Sequence, residues 1–235
     1  GSGFEWPTSV RWENFSEAWT AADYPTTLAN TGIITVLTVI FTILTSSIVS
    51  WALARNMHRP FFKGAFFYFL SAMFIPFPII MLPLVKQTAA FGLDNKWGMI
   101  ILYTIFGISM NSFIYTAYVR SIPLELEEAA RVDGASTWRV FWKVIFPLLA
   151  PMNATVGILT CVWAWNDYII AYTFMKDQSM YTLPVWLASF VSQNTGTDSG
   201  GQMAASVLFS LPVVVFFVII QRNLVSGMSA GAVKG

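Results

Sequence analysis

Five stretches of this chain, approximately residues 27–54, 64–85, 98–119, 148–170 and 203–221, are apolar for long enough to cross a bilayer. A helical span takes about 20 mostly apolar residues at about 1.5 Å rise each. Backbone groups in hydrocarbon have no water to bind, so such stretches satisfy them internally as helix. The fold class that follows is all-α and polytopic. Composition agrees: 56% of the residues are hydrophobic and 11% are charged, against about 25% charged in a typical soluble domain. The stretch 178–197 is too polar and broken for another span. It reads as part of a loop, 171–202, that carries a short amphipathic helix.

Lysine and arginine orient the spans, because they collect on the cytoplasmic side. One set of loops holds Arg55, Arg59, Lys63, Arg120, Arg131, Arg139, Lys143, Arg222 and Lys234; the other holds Arg11, Lys86, Lys96 and Lys176. Nine against four puts the first set inside. Residues 1–26 and the loop 171–202 are then external, 27–221 form the membrane domain, and 222–235 are a cytoplasmic tail. No signal peptide precedes the external segment at Gly1. The expectation is therefore a missing first span, giving six in the intact protein with five visible here.

Charges are scarce, yet six fall within residues 127–147, EEAARVDGASTWRVFWKVIFP: Glu127, Glu128, Arg131, Asp133, Arg139 and Lys143. The segment lies in the cytoplasmic loop 120–147. Its order predicts a helix, a turn and a second helix. Pro123 suits a first turn, where its missing N–H costs nothing, and Glu125, Glu127 and Glu128 follow at the positive end of the helix dipole. Glu127 and Arg131 are four apart, the spacing of a surface ion pair. Gly134 stops the helix, since glycine takes the left-handed conformation without penalty. Ser136 can cap the second helix, on which Trp138, Phe141, Trp142 and Ile145 recur as one apolar face. On spacing alone, an amphipathic hairpin lying at the headgroups and a docking site for another protein both fit.

Glu128-Ala129-Ala130, three residues, Gly134, nine residues, then Val144-Ile145-Phe146-Pro147 resembles the EAA loop of ABC importer permeases. Val144 and Phe146 stand where that pattern has isoleucine and leucine. IPLELEEAARVDGAS, the Trp165-Asn166-Asp167 triplet, TLPVWL at 182–187 and the ending GMSAGAVKG are similar to the carbohydrate-uptake branch, within it the maltose-permease type. The resemblance implies that residues 123–135 dock in a groove on a cytoplasmic ATPase. Glu128 would meet a basic residue there. Ala129 and Ala130 would allow close approach, and Gly134, with Asp133 and Ala135 beside it, would set the turn. The tail Gly231–Gly235 would lie near the ATPase pair. It further implies a second homologous permease, two ATPase subunits that hold ATP and Mg2+, and an external sugar-binding protein. This chain would bind no cofactor itself.

The residues fit a mechanical part. The sequence contains no GxxxxGK[ST] loop, HExxH or GxSxG. The single cysteine, Cys161, and single histidine, His58, supply no metal cluster, and Cys161 reads as a small packed hydrophobe. A net charge of +1 argues against nucleic acid as a partner. Within the spans, Thr31, Thr35, Thr38, Thr42 and Thr45 share one helix face. They either pack helices or, through Thr38 and Thr42, line the sugar route. Pro76 and Pro78 either mark a gate or are prolines a membrane helix tolerates. Asp167 falls roughly 30 Å beyond Pro147, at the outer interface beside the belt residues Trp163 and Trp165. Asn166, Asp167 and Trp163 are pathway candidates. The function read from all this is a sugar permease subunit driven by ATP in partner chains. The alternatives are a permease for another solute, such as an amino acid or glycerol phosphate, and a membrane scaffold that docks an ATPase without transport. The lack of lysine or arginine inside the spans favours a neutral solute.

Overall fold

The computed structural model describes residues 11–194 and 199–232, the side chains of Phe217 and residues 219–232 excepted. The described residues are all-α. In chain order the elements are α1 (Glu13–Ala21), α2 (Tyr24–Arg55), α3 (Pro60–Ala72), α4 (Phe77–Ala90), α5 (Lys96–Ser121), α6 (Glu125–Val132) and α7 (Thr137–Val140). A π-helical turn (Phe141–Ile145) leads into α8 (Phe146–Leu148), α9 (Ala150–Asn166) and α10 (Ile169–Phe174). A 3-10 turn (Gln178–Met180), α11 (Leu183–Gln193) and α12 (Ser199–Ala232) complete the chain. Residues 1–10 and 233–235, the outer parts of the segments that the sequence reads as external and cytoplasmic, lie outside the described residues, as do 195–198 of the expected external loop.

Of the five expected spans, three are continuous helices long and apolar enough to cross a membrane: α2, α5 and α12 from Ser199 to Phe216. The other two pass the length and apolarity test only as bent pairs, and of the second pair only α9 falls within the expected span 148–170. α3 and α4 meet at 103°, and the α7–α8 stretch meets α9 at 73°. The break in the first pair falls where proline dictates. Pro76 has extended backbone, φ −64° and ψ 129°, and forms the N-cap of α4, with Pro78 in its first turn. Proline offers no N–H to the preceding turn and pushes its predecessor out of the helical region. Pro83, by contrast, lies inside α4 without ending it. The second bend lies at Leu149, two residues before Pro151, and α8 runs through Pro147.

Two compact units divide the chain, Gly1–Thr31 with Asp177–Gly235, and Gly32–Lys176. In the first, the beginning of α2 holds the loop that the sequence places outside. Asn30 Nδ2 donates to the Ser179 and Tyr181 carbonyls at 2.9 and 3.0 Å. Leu183 N donates to Thr31 Oγ1 at 2.9 Å, and the Tyr24 hydroxyl donates to the Leu208 carbonyl at 2.7 Å. α11 is consequently not a free amphipathic helix: Leu183, Pro184, Val185 and Trp186 are all buried.

In the second unit α5 is central, burying residues on several faces along its length. It opens on Asn95, whose Oδ1 accepts from Trp97 N and Gly98 N at 2.9 and 3.1 Å. Gly98 is required: a Cβ there would lie 1.7 Å from the Leu93 carbonyl oxygen. Lys176 bonds to Asp94 beside this turn, and that hydrogen bond holds the Asp94 carboxyl below the usual carboxylate range. The core of the unit gathers Trp51 of α2, Tyr115, Val119 and Ile122 around α5, and Val140, Phe141, Ile145, Leu149 and Val156 after the charged hairpin. The hairpin is thus built onto the core.

Candidate functional site

The charged hairpin begins one turn after α5. Its first helix, α6, has Leu124 as N-cap and Glu125, Glu127 and Glu128 in the first turn. Pro123 therefore precedes the helix instead of opening it. The end of α6 follows from sequence in full. Gly134 has φ +81°, its N–H donates to the Arg131 carbonyl at 3.0 Å, and Ala135 N donates to the Ala130 carbonyl at 2.9 Å. These two bonds make a Schellman stop, with small Ala130 and Ala135 turned toward the core. Ser136 then caps α7, its Oγ accepting from Arg139 N at 3.4 Å.

Glu125, Glu128, Ala129 and Val132 share a stripe of α6 at helical spacing, and all four are exposed. Val132 is 88% exposed, the highest value among the large apolar side chains described. Asp133 and Gly134 continue this surface, while Ala130 and Ala135 are half-buried beneath it. The six residues singled out from the resemblance thus divide into an outer four and a supporting two.

Glu127 points the other way. It is 0% exposed, so its pairing with Arg131, at 3.7 Å, is not the surface pair that spacing suggests. Its Oε1 accepts from Arg55 Nε at 2.6 Å and from Trp51 Nε1 at 3.1 Å. Arg55 Nη2 also donates to the Ile122 carbonyl at 3.0 Å, at the end of α5. The sequence carried no signal for this arrangement, since Arg55 and Glu127 are 72 positions apart.

The apolar face expected of the second helix is also redistributed. Phe141 and Ile145 are fully buried with Val140 and Leu149, whereas Trp138 and Trp142 are 61% and 42% exposed. The π turn adds residues per turn and so rotates the register. Trp142 lies on the outer side against Phe146, ring centroids 5.0 Å apart.

Among the pathway candidates, Thr38 and Thr42 are fully buried within this chain, as the helix-packing alternative requires. Thr42 faces Gly107 of α5, where an added Cβ would meet its Cγ2 at 3.1 Å. Small residues let the two backbones approach, as membrane helices often do. The Thr35, Thr38 and Thr42 hydroxyls have no hydrogen-bond partner. Thr38→Val and Thr42→Val should therefore leave uptake unchanged and shift thermal unfolding in detergent by no more than about 1 kcal/mol. Loss of uptake from either would favour the pathway role.

Trp163 is placed differently. With Phe106, Gly107, Met110, Asn111 and Thr160 it lines a groove of about 350 Å³ between α5 and α9. Asn111 and Thr160 went unnoticed in sequence. Asp167 has internal partners: its Oδ2 accepts from the Tyr103 hydroxyl at 2.7 Å and from Ala171 N at 2.9 Å, tying α5 to the start of α10. Asn166 is exposed and bonds back to the Val162 carbonyl at 2.8 Å. Pro76 and Pro78 sit at the 103° bend.

Residues 46–230 match the family described as binding-protein-dependent transport system inner membrane component. The chain is 37% identical over 231 residues to the melibiose/raffinose/stachyose import permease protein MelC of Bacillus subtilis, covering 97% of this chain and 83% of that one. It is 36% identical to the multiple sugar-binding transport system permease protein MsmG of Streptococcus mutans, covering 87% and 75%. The probable starch degradation products transport system permease protein AmyC of Thermoanaerobacterium thermosulfurigenes is also 36% identical, covering 97% and 82%. In fold, the chain is similar to a crystal structure of a bacterial ABC transporter involved in import of the acidic polysaccharide alginate. The TM-score is 0.74 at 24% identity, over 94% of this chain and 82% of that one.

Proposed function

This chain belongs to the family of binding-protein-dependent transport system inner membrane components, and on that footing we propose that it is one of two permease subunits in an ATP-driven importer of a neutral oligosaccharide. The sugar assignment rests on the similarity to permeases named for melibiose, raffinose and stachyose and for other sugars. The permease works with other subunits and a binding protein. In the proposed assembly these are a second, homologous permease, two cytoplasmic ATPases holding ATP and Mg2+, and an external protein that delivers the sugar. ATP chemistry belongs to the ATPases.

The observation that supports the mechanical role is the exposed stripe on α6. Glu125, Glu128, Ala129 and Val132 present acidic, small and apolar groups on one side of a short helix. The opposite side is built into the core of the unit. Such a helix suits an ATPase groove: Glu128 meets a basic residue, Ala129 admits the groove wall and Val132 fills an apolar recess. The hairpin and the C-terminus then lie in the cytoplasm. Closure of the ATPase pair moves the hairpin, and the spans switch between inward-open and outward-open states, two states biased by one ligand. The α5–α9 groove at Trp163, Asn111 and Thr160 is the proposed pathway surface of this chain, since sugars pair apolar ring faces with hydroxyls. The bend at Pro76 and Pro78 is the proposed gate.

The test is reconstitution of the whole complex in vesicles with labelled melibiose, raffinose, stachyose or glycerol phosphate inside a panel. ATP-dependent uptake of at least one of the sugars is the expected result. Uptake of glycerol phosphate alone would overturn the sugar reading, and ATPase association without flux of any solute would leave a scaffold.

A further inference from the structure

The buried side of the hairpin carries charge that the exposed stripe does not require. Glu127, fully buried, holds Arg55 and Trp51 of α2, and Arg55 reaches onward to the Ile122 carbonyl at the end of α5. Trp51 in turn packs on Phe141 of the π turn, ring centroids 5.3 Å apart. Four elements therefore meet around one carboxylate: α2, α5, α6 and the π turn. Stability is a weak reason for this choice, because a buried ion pair pays a desolvation cost that an apolar cluster of equal volume avoids. Geometry is a better one. A guanidinium is a rigid planar fork, and one that spans two acceptors fixes their relative direction. An arginine near the last carbonyls of α5 also suits the negative end of that helix.

We propose that Glu127 and Arg55 are positioning residues that make the docking helix move as one body with the ends of α2 and α5. Displacement of α6 by the ATPase is then delivered to the spans instead of being absorbed by the loop. This rests on the docking reading of the exposed stripe.

The complete transporter, reconstituted in vesicles with labelled melibiose, raffinose or stachyose, whichever the unaltered complex imports, supplies the test. The readout is sugar imported per ATP hydrolysed, normalised to assembled complex. Glu127→Gln keeps the shape and removes the charge; Arg55→Lys keeps the charge and removes the fork. Each should lower the ratio about tenfold while ATP hydrolysis continues, a factor in the usual range for coupling between sites. A purely structural role would lower the yield of complex and leave the ratio untouched. An unchanged ratio in both variants overturns the proposal. If Glu127→Gln does not assemble, Trp51→Phe decides, since it keeps an aromatic ring facing Phe141 and removes the Nε1 donor, while the smaller ring's packing loss falls on the yield of complex and not on the ratio. A fall of about tenfold, the effect of one hydrogen bond to a charged group, supports the proposal, and no change overturns it. Glu128→Lys, outside the buried node, separates the two readings. If it releases the ATPase while the Glu127 and Arg55 variants couple normally, positioning alone fails. If it transports normally, docking fails.

Discussion

Charge reversal at Glu128 should abolish uptake while the chain still folds and inserts. Glu128 is exposed in the first turn of α6, and the contacts that hold the hairpin are made by Glu127, Arg55 and Trp51 on the other side. Glu128→Lys removes no internal contact, though a cation in the first turn costs about 0.3–1 kcal/mol against the helix dipole. If the partner residue is met in open water, the pair contributes only about 0–1 kcal/mol, and transport would fall severalfold at most. In a closed groove the remaining charge is stranded, and such a break costs about 3–5 kcal/mol, a loss of about a hundredfold or more. Glu128→Gln, which removes charge without reversing it, should fall between. Membrane insertion, co-purification of the ATPase and uptake, measured on the same preparation, decide the matter. Uptake within about twofold of the unaltered complex would exclude a closed groove at this position.

The contrast between Glu128 and Glu127 also shows where sequence reasoning reaches its limit. The two are neighbours with the same chemistry, and both fit the positive end of a helix. Which one is buried depends on what lies under α6, and that is set by Trp51 and Arg55 at the far end of α2. Arg55 was legible only as a member of the cytoplasmic lysine and arginine set. What is local was readable: the glycine stop, the serine cap and the threonine face of α2 all depend on residues within a turn or two. The five hydrophobic stretches were readable for the same reason. The bends were half-readable, because Pro76 and Pro151 mark where a helix can break, while packing sets angles of 103° and 73°. The π turn left no mark in composition, and it shifts the register of Trp142 relative to the face that buries Phe141 and Ile145. Asp167 was legible as a carboxylate among tryptophans at a helix end, but its partners, Tyr103 and the N–H of Ala171, were not. Asn30 and Thr31 anchor the loop at Ser179, Tyr181 and Leu183 across about 150 positions, a separation that periodicity does not report.

Gly134 offers the most discriminating series, because its environment separates conformation from size. No atom lies within 4 Å of the place a Cβ would occupy, yet φ is +81°. A side chain there meets no obstacle but must adopt the left-handed region, which costs roughly 1–2 kcal/mol for an ordinary residue and more for a β-branched one. Asparagine tolerates that region far better. Stability should therefore rank Gly, Asn, Ala, Val, although asparagine is larger than alanine. Gly134→Val should lose the Schellman stop, unwind the last turn of α6 and misdirect Val132 and Asp133, with uptake falling at least as far as in Glu128→Lys. Gly134→Ala should show an intermediate loss and Gly134→Asn the least. Thermal unfolding and ATP-driven uptake measured side by side then divide two roles for the glycine. If uptake follows unfolding through the series, Gly134 serves the turn alone. If Gly134→Asn is stable but does not transport, the groove wall itself must come close to the exposed backbone at this position, and the side chain is excluded by the partner. A ranking in which alanine matches or exceeds asparagine in stability would mean that the left-handed turn does not govern the hairpin.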